Sequence, residues 1–121
     1  MFAKQKATLR MSNQISLKQL QKELLVWQGH NFPGRKWDKP FMGMVEELGE
    51  LSHALLKQEQ GIRGTSQNHD AAIVDAVADL LVFMADFCNA RGINLQTALT
   101  DTWAQVRQRD WVRFPKNGKD E

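Results

Sequence analysis

Apolar residues recur at helical spacing along most of the chain, in four segments separated by breaks that carry glycine or proline. The first segment puts Leu17, Leu20, Leu24 and Trp27 on one line. Ser16 precedes it with Gln19 at capping-box spacing, and Ile15 and Leu20 take the flanking staple positions. This predicts a helix from Ser16 to about Gln28, followed by a loop over 29–37. Asp38 is the expected cap of a second helix with Pro40 in its first turn. Its apolar line is Met44, Leu48, Leu51 and Leu55, and it stops before Gly61. A linker over 61–67 leads to a third helix, with Asn68 as its expected cap and Gly92 as the stop after Arg91. Asn94 caps a fourth, whose face carries Leu95, Ala98, Leu99, Thr102, Trp103 and Val106. No stretch alternates with period two for long enough to make a sheet. The expected fold is all-α, a four-helix domain over 16–114. A basic, poorly ordered extension over 1–15 precedes it, and a polar tail over 115–121 follows.

Composition narrows the class. With 121 residues, 42% hydrophobic and 25% charged, the chain suits one globular domain, which excludes wholesale disorder. A net charge of +2 is too small to imply nucleic acid or a membrane surface. The charge is unevenly placed: basic ends flank an acidic centre around Glu46, Glu47 and Glu50. The single cysteine, Cys88, lies in an apolar run and reads as a buried structural thiol in a reducing, cytoplasmic setting. No apolar stretch reaches the ~18–20 residues of a membrane span, and the opening residues lack a secretory signal's apolar run.

The acidic residues carry the chemistry. Taking Glu46 as zero, Glu50 lies at about 40° and Glu47 at about 100° around the second helix, with the apolar line at about 140–200°. Alone, that is an ordinary amphipathic helix with a solvated acidic face. The third helix changes the balance, because it is apolar nearly all round yet holds Asp75, Asp79 and Asp86 within one stripe about 40° wide. Buried carboxylates must be neutralised, and between Gln58 and Arg91 the only other cationic side chain is Arg63, in the linker. A bound cation answers this, and all-carboxylate ligation favours Mg²⁺ or Mn²⁺. Pairing of the stripe with arginines of the fourth helix is the structural alternative.

The run Glu46-Glu47-Leu48-Gly49-Glu50, followed on the next helix by Asp75-Ala76-Val77-Ala78-Asp79, resembles the MazG-like all-α nucleoside triphosphate pyrophosphohydrolases. Their pattern is EExxE on one helix and ExxD on the next, and the resemblance spans about residues 16–114. It implies a four-helix MazG-like bundle that hydrolyses a nucleoside triphosphate between the α and β phosphates with Mg²⁺ or Mn²⁺. By position, Glu47, Glu50 and Asp79 match the family's metal ligands. The glutamate of ExxD falls at Ala76, so Asp75, one turn from Asp79, becomes the substitute fourth ligand. Glu46 stands beside them as general base or ligand of a second ion.

Lys57 falls on the Glu46/Glu50/His53 line, where it could reach a phosphate or else pair with His53 or Glu46. Arg107, Arg109 and Arg113 resemble the family's basic pyrophosphate-binding cluster, with a solvated helix end as the plain alternative. There is no glycine-rich phosphate cradle of the Walker type. Asn31 and Trp37, in the loop with His30 and Phe32, are the expected base-binding residues, an aromatic face with an amide beside it. Trp27 and Trp103 read as core. Glu50 and His53 also match the ExxH spacing of ferritin-like di-metal bundles, although that architecture needs a second ExxH helix. A non-catalytic helical interaction module would explain the helices and not the buried acidic stripe. The apolar third helix further predicts a homodimer or dimer of dimers, because one small core cannot cover all its sides.

Overall fold

Residues 14–119 are described by a computed structural model. It contains α1 (Leu17–Asn31), α2 (Asp38–Gln60), α3 (Ser66–Arg91) and α4 (Leu95–Val106), and no strand among the described residues. The expected extension over 1–15 lies almost wholly outside them. Local chemistry accounts for most helix ends. Ser16 accepts from the Gln19 N–H, and Asn94 accepts from the Thr97 N–H, each at 3.0 Å. Gly61 and Gly92 close α2 and α3 in the left-handed conformation, with φ of 69° at both. Beyond them the N–H of Ile62 reaches Lys57 O and that of Ile93 reaches Cys88 O, the six-to-one bond of a Schellman motif.

Three boundaries differ from expectation. Asn68 is not the cap of α3: Thr65 is, and Asn68 returns a bond to the Thr65 N–H from the third helical position. Both residues have capping chemistry, and the reciprocal box uses both. Asp38 likewise sits inside α2 as its first residue, after Trp37, which makes no side-chain cap bond. The first helix runs three residues beyond Gln28, to Asn31, whose side-chain amide donates back to Trp27 O at 2.9 Å.

α2 and α3, joined by a short loop, form the main hairpin; α1 lies against α3, and α4 rests on α1. Gln21 ties α1 to the α3–α4 turn through its side chain, donating to Asn89 Oδ1 and Ile93 O and accepting from the Leu95 N–H. At the other end, buried His69 bonds Ile62 O at 2.9 Å and pins the α2–α3 loop. Residues 110–118 curl back on themselves, with the Asp110 N–H on Gly118 O and the Gly118 N–H on Phe114 O. The expected polar tail is therefore structured as far as Lys119, and residues 120–121 lie outside the described range.

The face of α2 that meets α3 is not the leucine line. Pro40, Glu47 and Ala54 are buried, whereas Leu48 and Leu55 are 56% and 49% exposed. On the helical wheel the buried line is rotated by roughly 70° from the Met44–Leu55 line. Small residues at that seam let the helices approach: a Cβ on Gly43 would overlap the Phe83 ring. On α3, Val74, Val77, Leu81, Val82 and Met84 are also exposed, as are Trp27 and Trp103, which the pattern reads as core. The buried apolar side chains are few and mostly small: Leu24, Ala54, Ala76, Ala85 and Cys88. Cys88 is buried as its apolar setting predicts, and that burial pushes its thiol up.

Candidate functional site

Helical spacing puts Glu46 and Glu50 on one side of α2 and turns Glu47 toward the α3 seam. The three carboxylates converge, with one oxygen from each lying within 4.8 Å of the others. Glu46 and Glu50 are exposed; Glu47 is only 7% exposed. Its Oε2 is buried and reaches no hydrogen-bond partner among the described residues. Burial raises the Glu47 carboxyl to about 7. The charge of Glu50, the charge of Asp79, a hydrogen bond with Glu50 and the charge of Glu46 push the same way, in that order. An orphaned oxygen and a carboxyl held up by its neighbours are both relieved by a dication. The donor set, all carboxylate and partly open to solvent, fits a hard ion with room for water ligands.

Asp79, exposed on α3, is close enough for its charge to act on Glu47. Asp75, half-buried a turn earlier, is neither in the converging cluster nor among the charges that act on Glu47. Ala76, at the position of the glutamate in ExxD, is 3% exposed and belongs to the core. His53 is exposed and lies outside the cluster.

Beside the carboxylates opens a cavity of about 600 Å³, in which Glu46 lies with Phe32, Arg35, Met42, Gly43 and Phe83. Its cationic residues are Lys39, in the first turn of α2, and Arg35, from the loop before α2. The Arg35 guanidinium lies 3.8 Å from the buried Asp86 carboxylate and over the rings of Phe32 and Phe83, at 5.4 and 5.8 Å. With its amide oxygen turned toward the guanidinium, Gln28 accepts from Arg35 Nη1 at 2.9 Å and Nε at 3.2 Å. Burial raises the Asp86 carboxyl and the Arg35 charge opposes that rise. Asp86 is thus neutralised by a loop arginine, not by the fourth helix and not as part of the carboxylate cluster.

The other expected site residues lie apart from this cavity. Asn31 borders a different hollow on α1, with Trp27 and His30. Trp37 faces Arg91, whose guanidinium is 5.7 Å from its ring centre. Lys57 donates to Gln60 Oε1 at 3.0 Å. Arg107 caps α4, and Arg113 lies over Phe114 at 5.1 Å. Arg109 lines a separate polar hollow with Gln105, Gln108 and Lys119. Sequence reasoning missed Arg35, Phe83 and Met42 as walls of the cavity beside Glu46. The available signal was Asp86, a carboxylate in an apolar helix whose one Lys or Arg is Arg91, its last residue, five positions on and off the Asp stripe. Comparison with protein-family models, with curated proteins and with solved structures returns no match to this chain.

Proposed function

We propose that this protein is a Mg²⁺-dependent nucleotide pyrophosphohydrolase, converting a nucleoside triphosphate and water into a nucleoside monophosphate and pyrophosphate. The observation that carries the reading is Glu47: a buried carboxylate with an orphaned oxygen, converging with Glu46 and Glu50 at the edge of an apolar cavity. The EExxE and Asp75/Asp79 spacing, with its resemblance to MazG-like enzymes, supports the same conclusion. Glu47, Glu50 and Asp79 would hold the ion, whose charge would neutralise phosphate oxygens and lower the pKa of an attacking water. Glu46 would take the proton of that water, a role supported by its exposure and its membership of both the cluster and the cavity. The cavity would seat the base, which fixes the phosphate chain relative to the carboxylates.

The working unit of this reading is a homodimer or a dimer of dimers. Leu48, Leu51, Leu55 and Leu56 line an open groove of about 510 Å³ on α2, and Val74, Val77 and Leu81 are exposed on α3. Among the described residues, five buried apolar side chains, most of them small, and Pro40 make a thin core for four helices, and a second copy on these faces would complete it. Sedimentation at micromolar concentration should give a multiple of the 13.9 kDa chain mass. An active species at that mass itself removes the dimer.

Incubation with each common nucleoside triphosphate and Mg²⁺, followed by separation of products, tests the activity. Monophosphate and pyrophosphate in equal amounts are expected. Orthophosphate release, or no turnover of any triphosphate with Mg²⁺ or Mn²⁺, would overturn the reading.

A further inference from the structure

Arg35 has no part in the carboxylate cluster, yet it is held firmly in the wall of the cavity beside it. Its side chain is 19% exposed, and its contacts come from three sides: Gln28, Asp86, and the rings of Phe32 and Phe83. These contacts fix the plane of the guanidinium before any ligand arrives, so little side-chain entropy is left to lose on binding. Arg35 also divides two cavities: the one holding Glu46, and a smaller one reaching Gln28, Asp86 and Asn89. Gln28 occupies Nε and one side of Nη1, and Asp86 at 3.8 Å from Nη2 supplies charge balance beyond hydrogen-bond reach. N–H groups on Nη1 and Nη2 are left to serve the cavity.

We propose that Arg35 reads the base of the bound nucleotide and selects an edge with two adjacent hydrogen-bond acceptors, O6 and N7 of guanine or N3 and O2 of cytosine. The inference rests on the nucleotide reading above. A guanidinium only donates, so a matching edge must only accept. Guanine and cytosine each offer such a pair, whereas adenine and uracil have no two adjacent acceptors on any edge. The walls favour a flat ring over an anion at this point. Phe32, Met42 and Phe83 are apolar, and the Glu46 carboxylate offsets the Lys39 ammonium on the same wall, so these two leave no surplus positive charge to draw a phosphate. Asp86 already balances the charge of Arg35, so the site asks for hydrogen-bond acceptors and not for a further negative charge. A lysine at this position would keep the charge and lose the fork.

The test is calorimetric titration with GMP, CMP, AMP and UMP in metal-free buffer, on the wild-type protein and on Arg35→Lys. Triphosphate hydrolysis with Mg²⁺ is measured in parallel. A well-formed bidentate pair discriminates by about five-fold to 150-fold. The wild-type protein should therefore bind GMP or CMP at least about five-fold more tightly than AMP and UMP. Arg35→Lys should bring all four within about two-fold of one another, with the larger loss falling on GMP or CMP. Equal wild-type affinity for the four, no binding of any of them, or an equal loss for all four in the variant would overturn the proposal. The wild-type comparison stands even if the variant fails to fold. Base preference without triphosphate hydrolysis would sink the catalytic reading and keep this one; hydrolysis without base preference would do the reverse.

Discussion

Replacing Glu47 by Gln removes the one buried carboxylate of the cluster while keeping its shape, and the structure gives the sign and size of the result. In the folded chain this carboxyl titrates at about 7, against an ordinary value of 4.5. Between those values the folded state holds a proton that the unfolded state has released. Stability from this group is therefore full below 4.5 and declines as pH rises toward 7, after which it is flat. At ~1.4 kcal/mol per pKa unit, the whole decline is at most about 3–4 kcal/mol, or on the order of 10 °C in melting temperature for a domain of this size. The amide introduced by Glu47→Gln carries no charge and can donate to Glu50. Thermal melts of the metal-free protein at pH 5 and pH 8 are the assay. The wild-type protein should lose stability relative to Glu47→Gln as pH rises, and Mg²⁺ at pH 8 should restore it in the wild type alone. A stability difference between the two proteins that is independent of pH, or one that grows in favour of the wild type without metal, would refute the reasoning.

Other substitutions test other parts. Glu50→Gln and Asp79→Asn should each weaken Mn²⁺ binding at least about ten-fold and nearly abolish turnover with the helical circular dichroism unchanged, whereas Glu46→Gln should lower turnover with a smaller loss of metal affinity. Gly43→Ala puts a methyl into the Phe83 ring, so the ring must turn into the cavity. Denaturant titration should show a cost of about 1–3 kcal/mol, and calorimetry a weaker nucleotide affinity. Thr65→Ala removes the acceptor for the Asn68 N–H and should cost about 1 kcal/mol in the same titration, leaving turnover unchanged.

What can be read from the sequence divides along the range of the interactions. Ser16, Asn94, Gly61 and Gly92 act on backbone within a turn of themselves, and the all-α fold and most helix ends follow from such residues. The cap of α3 escapes the pattern because two residues with similar chemistry, Thr65 and Asn68, stand three positions apart. The buried face of α2 escapes it because the leucine line marks where apolar area is greatest, not where the neighbouring helix lies. Glycine, alanine and proline make the close seam with α3, and the leucines are left facing outward. Yet the wheel already holds a clue to the site: Glu47, at about 100°, stands nearest the apolar line of the three glutamates. The Arg35–Asp86 contact joins a loop to a helix some fifty positions away. No periodicity encodes such a pairing, and the cavity it walls is invisible in the sequence for the same reason.

The claim on which the rest depends is that the Glu46–Glu47–Glu50 cluster, with Asp79, is a cation site from which the Glu47 proton departs. Calorimetric titration with Mn²⁺ at pH 6 and pH 8.5, in buffers of different ionisation enthalpy, measures affinity and proton release together. The account predicts saturable binding with about one proton released per ion at pH 6, almost none at pH 8.5, and loss of that release in Glu47→Gln. Absence of saturable binding, or proton release that persists without the Glu47 carboxyl, would contradict it.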